Sequence, residues 1–189
     1  MNTKKEHHHS HHTDNHCGCS CGCHDNHRQE HRDKDAMIES IENVTKLSLT
    51  NSQISVLLEL HHCKYLPVTR FIMRSSVEEG AVFTALAPVY LTALSETLEN
   101  VKAMGRIFSA LAEKGLISLD YHLPLNNYDY KLYTDSDVYN YFKKTVNEGK
   151  SKEKFLCDIA EIELGSMALT EFGEQVTRSL IAEHHNEVE

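Results

Sequence analysis

The stretch SETLENVKAMGRIFSALAEKGLISLDY, residues 95–121, decides how the chain is read. Leu98, Val101, Met104 or Gly105, Phe108 and Leu111 recur at helical spacing, which predicts one long amphipathic helix over 97–114. Ser95-Glu96-Thr97 supplies its N-cap. Lys114-Gly115 ends it, because glycine takes the left-handed stop without a Cβ penalty. Leu116 to Tyr121 then reads as a strand, Leu123 to Asn127 as a turn, and Tyr128 to Tyr133 as a second strand. Tyr128, Tyr130 and Leu132 share one face of it, so the two strands form a β-hairpin.

On the N-terminal side, Thr50 and Gln53 form a capping box. The helix it opens carries Ile54, Leu57, Leu58 and His61 on one stripe and is expected to end before Pro67. Ile38, Ile41 and Val44 or Thr45 suggest a shorter helix before it. Val68 to Met73 reads as a short strand or a turn of helix. In the apolar run from Ala81 to Thr92, Pro88 marks a helix start or a break. On the C-terminal side, Asp135 caps a helix over 136–147 that Gly149 ends, and Ser151 caps a short helix with Phe155 and Leu156. Ala160, Ile162 and Leu164 alternate like a third strand, and Thr170 caps a final helix with Phe172, Val176 and Leu180.

Helix, helix, long helix, glycine stop and hairpin is the element order of a winged helix-turn-helix. Leu49-Thr50-x-x-Gln53-x-x-Val56-Leu57 resembles the opening of the core helix-turn-helix in MarR-type regulators. Leu111-Ala-Glu-Lys-Gly115-Leu116-Ile117 is similar to the end of their recognition helix, and Leu169-Thr170-x-x-Gly173 to the helix after the wing. PadR-like regulators compare equally well. The resemblance spans roughly residues 45–180 and implies a mainly α fold with a small β-sheet. Two departures stand out: residues 65–80 lengthen the stretch before the helix-turn-helix, and residues at about 134–160 insert extra helix between the hairpin and the Leu-Thr-x-x-Gly segment, an insertion that would serve a dimer or ligand surface.

The resemblance implies a homodimeric transcriptional regulator that binds double-stranded DNA. Its long helix would present Asn100, which can read adenine, and Arg106, which can read guanine, with Lys102 beside them. Lys131, Lys143, Lys144 and Arg70 or Arg74 would meet phosphates. Glu96 and Glu99 interleave with these cations, so the other reading is the solvated face of a core helix. A winged-helix module that binds protein rather than DNA is then the alternative.

The tail before the body has a different chemistry. Residues 1–36 hold nine of the 14 histidines and four of the six cysteines, and no Val, Ile, Leu, Phe, Tyr or Trp. Such a segment cannot bury a core, so it is expected to be disordered unless a ligand orders it. The His run is interrupted by Ser10 and followed by interleaved Cys, Asp, Asn and Arg, which reads as native rather than as an appended tag. His16, Cys17, Cys19, Cys21, Cys23, His24 and His27 form a dense field of thiolate and imidazole ligands. Mixed thiolate and imidazole suit Zn(II), imidazole suits Ni(II), and thiolates suit Cu(I). The alternating Cys-x-Cys spacing differs from that of a zinc finger, and flexible Gly-Ser backbone between the thiols can wrap a soft ion loosely. The tail would sense metal for the body, or serve metal storage or delivery.

The chain has 189 residues and a net charge of −9, of which the body after residue 36 carries −8. That balance is not one of an obvious nucleic-acid binder. No apolar run is long enough to span a bilayer, and no secretory h-region opens the chain. These observations predict a cytoplasmic protein whose thiols stay reduced. No nucleotide loop, Ser-His-Asp pattern or carboxylate pair suggests an enzyme. His61-His62-Cys63 with Cys157 or His122 is a further candidate metal site, with ordinary packing as its alternative. The tyrosines at 121, 128, 130, 133, 139 and 141 read as packing of the hairpin and insertion.

Overall fold

The computed structural model describes residues 47–152 and 155–186. Helix α1 spans Asn51–Cys63, followed by strands β1 at Tyr65–Arg74 and β2 at Val82–Val89. Helix α2 spans Leu98–Glu113 and strand β3 Ile117–Asp120. A single turn, α3, covers Lys131–Thr134, and α4 covers Asp137–Gly149. Strand β4 at Ile159–Leu169 and helix α5 at Glu171–Asn186 complete the order. The four strands form one antiparallel sheet in the order β2-β1-β4-β3. The sheet curls into a half-barrel, and α2 touches both edge strands, β2 and β3.

This architecture corrects the winged-helix expectation. A helix-turn-helix joins its helices through a turn of three or four residues. Between α1 and α2 this chain instead builds the antiparallel pair β1–β2, with Arg74 opposite Val82. The expected hairpin is also absent. Strand β3 pairs with β4, from Ile117 opposite Leu169 to Asp120 opposite Ser166, across an excursion that holds α3 and α4. Tyr128 to Tyr133 is not a strand, because the side chains seat as a helical turn. The Tyr130 hydroxyl accepts the Leu125 N–H at 2.9 Å and donates to the Gly165 carbonyl at 2.6 Å. The Tyr133 hydroxyl donates to the Pro67 carbonyl at 3.0 Å. The result is an α+β fold with a sheet at its centre.

Pro67, read as following a helix end, and Pro88, read as a helix start or a break, both lie in strands. Pro67 is buried in β1, where β2 no longer pairs alongside it: that pairing ends with Thr69 opposite Val89. Pro88 lies in β2, an edge strand, where a missing N–H costs no ladder bond. Helix α1 ends before Pro67, as expected, at Cys63, with Lys64 at φ 68° as its cap.

The local helix signals act where the sequence places them. Gln53 N–H donates to Thr50 Oγ1 at 3.3 Å, and Thr50 N–H donates to Gln53 Oε1 at 3.0 Å. Thr97 caps α2, and Gly115 turns the chain at φ 71°. Ser136, one residue after the expected Asp135, caps α4. Residues 155–158 form no regular element, so the short helix expected after Ser151 does not form there. The helix expected around Ile38 to Thr45 lies outside the described residues.

Two cores occupy the two faces of the sheet. Val56, Leu57 and Leu60 of α1 meet Phe108 and Leu111 of α2, Val68 of β1, Met167 of β4 and Val176 of α5. On the other face Phe71 of β1 meets Val101 of α2 and the aromatic group of Tyr130, Tyr133 and Tyr139. The Phe71 ring lies 5.0 Å from that of Tyr139 and 5.4 Å from that of Phe142. Residues at 134–160 thus supply core, through α4, in addition to surface. Two close approaches fix the ends: a Cβ on Gly173 would overlap the Leu116 carbonyl, and one on Gly105 would sit 2.8 Å from the Pro88 carbonyl.

Candidate functional site

The approach of Gly105 to Pro88 brings α2 beside edge strand β2, and a groove opens between them. Its volume is about 350 Å³, and Leu86, Ala87 and Pro88 form one wall. Lys102, Arg106 and Ser109 form much of the other, with Glu113 at one end. Lys102 and Arg106 stand one helical turn apart, and neither meets a carboxylate among the described residues. A second cavity of about 150 Å³ adjoins the groove, since Leu86 and Lys102 line both. Phe71, Leu98, Tyr141 and Phe142 make it largely apolar.

Of the residues expected to meet DNA, this geometry unites Lys102 and Arg106. Asn100 is exposed on α2, outside both cavities, and its backbone N–H donates to Thr97 Oγ1 at 3.2 Å. Lys131 sits apart on α3 with its ammonium 3.0 Å from Asp129. That contact raises the Lys131 pKa and lowers that of Asp129. Arg70 and Arg74 are occupied too: Arg70 pairs with Glu163, and Arg74 with Glu161 at 2.6 Å. Helix α2 closes the curled sheet with one side and holds the edge strand with another, so it does not project as an isolated reading helix.

No family model and no curated protein matches the chain. Among solved structures it is similar to an uncharacterized protein from the hydrocarbon-degrading marine bacterium Alcanivorax borkumensis SK2. The identity is 12% over 77% of this chain and 95% of that one, with a TM-score of 0.41.

The metal ligands expected at His16, Cys17, Cys19, Cys21, Cys23, His24 and His27 lie outside the described residues. The second candidate, around His61-His62-Cys63, does not assemble. Among the described residues no group of three or more His, Cys, Asp and Glu side chains is placed to hold a metal ion. Cys63 is exposed, Cys157 is buried, and His122 lies 3.4 Å from the Arg70 guanidinium. His61 Nδ1 lies 3.1 Å from Glu174 Oε2, and Lys64 and Arg178 flank the same carboxylate at 3.6 Å each. Burial disfavours the Glu174 charge, but Lys64, His61 and Arg178 outweigh it and hold its pKa below the ordinary value. This cluster ties α1 to α5.

The groove's other wall was hidden from sequence reasoning. Residues 81–95 contain no Asp, Glu, Lys, Arg or His, and with Pro88 inside they resemble an interrupted helix. The available signal was the proline itself, which a strand accepts where no neighbouring strand needs its N–H. Among the described residues no helix is long and apolar enough to cross a membrane.

Proposed function

We propose that the protein is a cytoplasmic metal-binding docking protein, without catalytic activity of its own. Its N-terminal segment takes up Zn(II), Ni(II) or Cu(I), and its body attaches that cargo to a partner protein. One observation carries the reading: Cys17, Cys19, Cys21 and Cys23 alternate within a 36-residue segment that also holds nine histidines. Thiolate is the ligand form, so loading releases protons and weakens as pH falls. Imidazoles at His16, His24 and His27 extend the ligand set for borderline ions.

The test is a competition titration of the full-length protein with each ion, beside a Cys17/19/21/23→Ser variant. The reading requires tight binding of at least one ion that the serine variant loses. Equal affinity in both proteins would overturn the thiolate role, and absence of tight binding would overturn the function.

A second reading, DNA binding by a surface other than a winged helix, has Lys102 and Arg106 in its favour. Neutralising phosphates would give an affinity that falls steeply with salt. Retention of duplex DNA that declines with salt and disappears in Lys102→Ala/Arg106→Ala would favour it. Salt-independent or absent retention would exclude it.

A further inference from the structure

We propose that the two adjoining cavities between α2, β2 and α4 form one binding site for a small aromatic carboxylate, a single aryl ring joined to its acid by a short chain. The site lies within the body, and the claim does not rest on metal binding by the N-terminal segment.

One stripe of α2 builds the charged part. Lys102, Arg106 and Ser109 fall at i, i+4 and i+7, so they line the same wall of the groove. Gly105 lies inside that stripe without a side chain, and the Pro88 carbonyl packs where a Cβ would stand. The helix is thus held against β2 at this point, with one cation before the contact and one after it along the helix.

The two spaces ask for two chemistries in one ligand. The smaller, about 150 Å³, matches in size an apolar cavity that holds one benzene ring. Its Phe71 and Phe142 rings already stack at 5.4 Å, so an aryl guest extends an aromatic cluster. Ala85 and Tyr141 on its lining are exposed and open it to solvent. Thr145 Oγ1 donates to the Tyr141 carbonyl at 2.9 Å, which leaves Lys102 as the charged group at this cavity.

The larger space receives the acid. Arg106 offers a planar fork that matches a carboxylate, and Lys102 adds a point charge. Neither has a carboxylate partner among the described residues. Lys102 lines both spaces, so an acid held there stays within a short chain of the ring. Glu113 at the far end of the groove repels a carboxylate and keeps the acid at Lys102 and Arg106. Both cations are exposed, so the buried ring supplies the affinity and the cations the preference for acids. A long acyl chain exceeds the apolar cavity, and inorganic phosphate leaves it empty.

The test is an NMR titration of the full-length protein with a chelator present, so that metal uptake is silent. The probes are phenylpropanoate, its uncharged amide, the cationic phenylpropylamine, and butanoate, which lacks the ring. Phenylpropanoate should shift the Gly105 and Ala85 amides saturably, and the amide and butanoate should each bind roughly tenfold or more weakly. Lys102→Glu/Arg106→Glu should lose phenylpropanoate and gain phenylpropylamine, a gain that an unfolded variant would not show. Ala85→Trp, made at the exposed rim, should fill the apolar cavity and weaken phenylpropanoate by a separate route. Equal binding of the acid and its amide, acid binding unchanged in either variant, or no saturable shift at millimolar probe would overturn the proposal. Metal titration reads the N-terminal segment independently, so either claim can fail alone.

Discussion

Replacing Tyr133 with Phe tests whether this chain carries a core turn where the sequence suggested a wing strand. Tyr133 is fully buried against Phe71 and Val101, and its hydroxyl donates to the Pro67 carbonyl at 3.0 Å. Burial pushes its phenol well above the ordinary pKa, so the hydroxyl stays a donor throughout the working pH range. Phe keeps the ring and removes the donor, leaving a buried strand carbonyl without that partner. The cost is about 1–2 kcal/mol. For a body of this size that lowers Tm by roughly 3–8 °C. Tyr130→Phe should cost more, about 2–3 kcal/mol, because its hydroxyl both accepts from Leu125 and donates to Gly165. Tyr128→Phe is the control: its side chain is 36% exposed, and the change should stay within about 0.5 kcal/mol. Urea unfolding followed by circular dichroism reads all three as midpoint shifts at constant slope. Equal midpoints for the Tyr133 and Tyr128 variants would mean that α3 is not anchored to β1, and the reasoning would fail.

Three further outcomes follow from the packing and the charges. Gly173→Ala places a Cβ on the Leu116 carbonyl and should cost about 1–3 kcal/mol in the same unfolding assay; an unchanged midpoint would show that α5 does not abut that turn. Thr69→Val removes a buried hydroxyl whose oxygen has no hydrogen-bond partner among the described residues, so it should leave stability unchanged or raise it. A clear loss would contradict that environment. Glu174 has a folded-state pKa below its ordinary 4.5, so the stability it contributes is present above that value and is lost as pH falls through the folded pKa. Glu174→Gln should therefore flatten the acid side of a Tm-against-pH curve below about pH 4.5. An unaltered acid side would place the Lys64, His61 and Arg178 contacts elsewhere.

The features legible in the sequence are those that a few neighbouring residues settle. Thr50 with Gln53, Thr97 and Thr170 each open a helix through bonds three residues away, and Gly115 stops one through its own φ. The sheet depended on distant partners. Strand β3 looked like the first arm of a hairpin because its real partner, β4, lies beyond α3 and α4. Strands β1 and β2 carry Pro67 and Pro88, which local rules read as helix boundaries, while the antiparallel register that tolerates them is a tertiary fact. Half of the candidate site followed the same rule. Lys102 and Arg106 were visible as cations on the long helix, but their groove needed β2, whose uncharged run gave no clear alternation. The tail differs again, since its signal is ligand chemistry rather than folding, and composition alone displays it.

X-ray absorption at the metal edge of the loaded full-length protein tests the central claim most directly, because it identifies the ligand atoms. The account requires sulfur in the coordination shell, at about 2.3 Å for Zn(II), and its loss in the Cys17/19/21/23→Ser variant. A shell of nitrogen and oxygen alone, identical in both proteins, would contradict it.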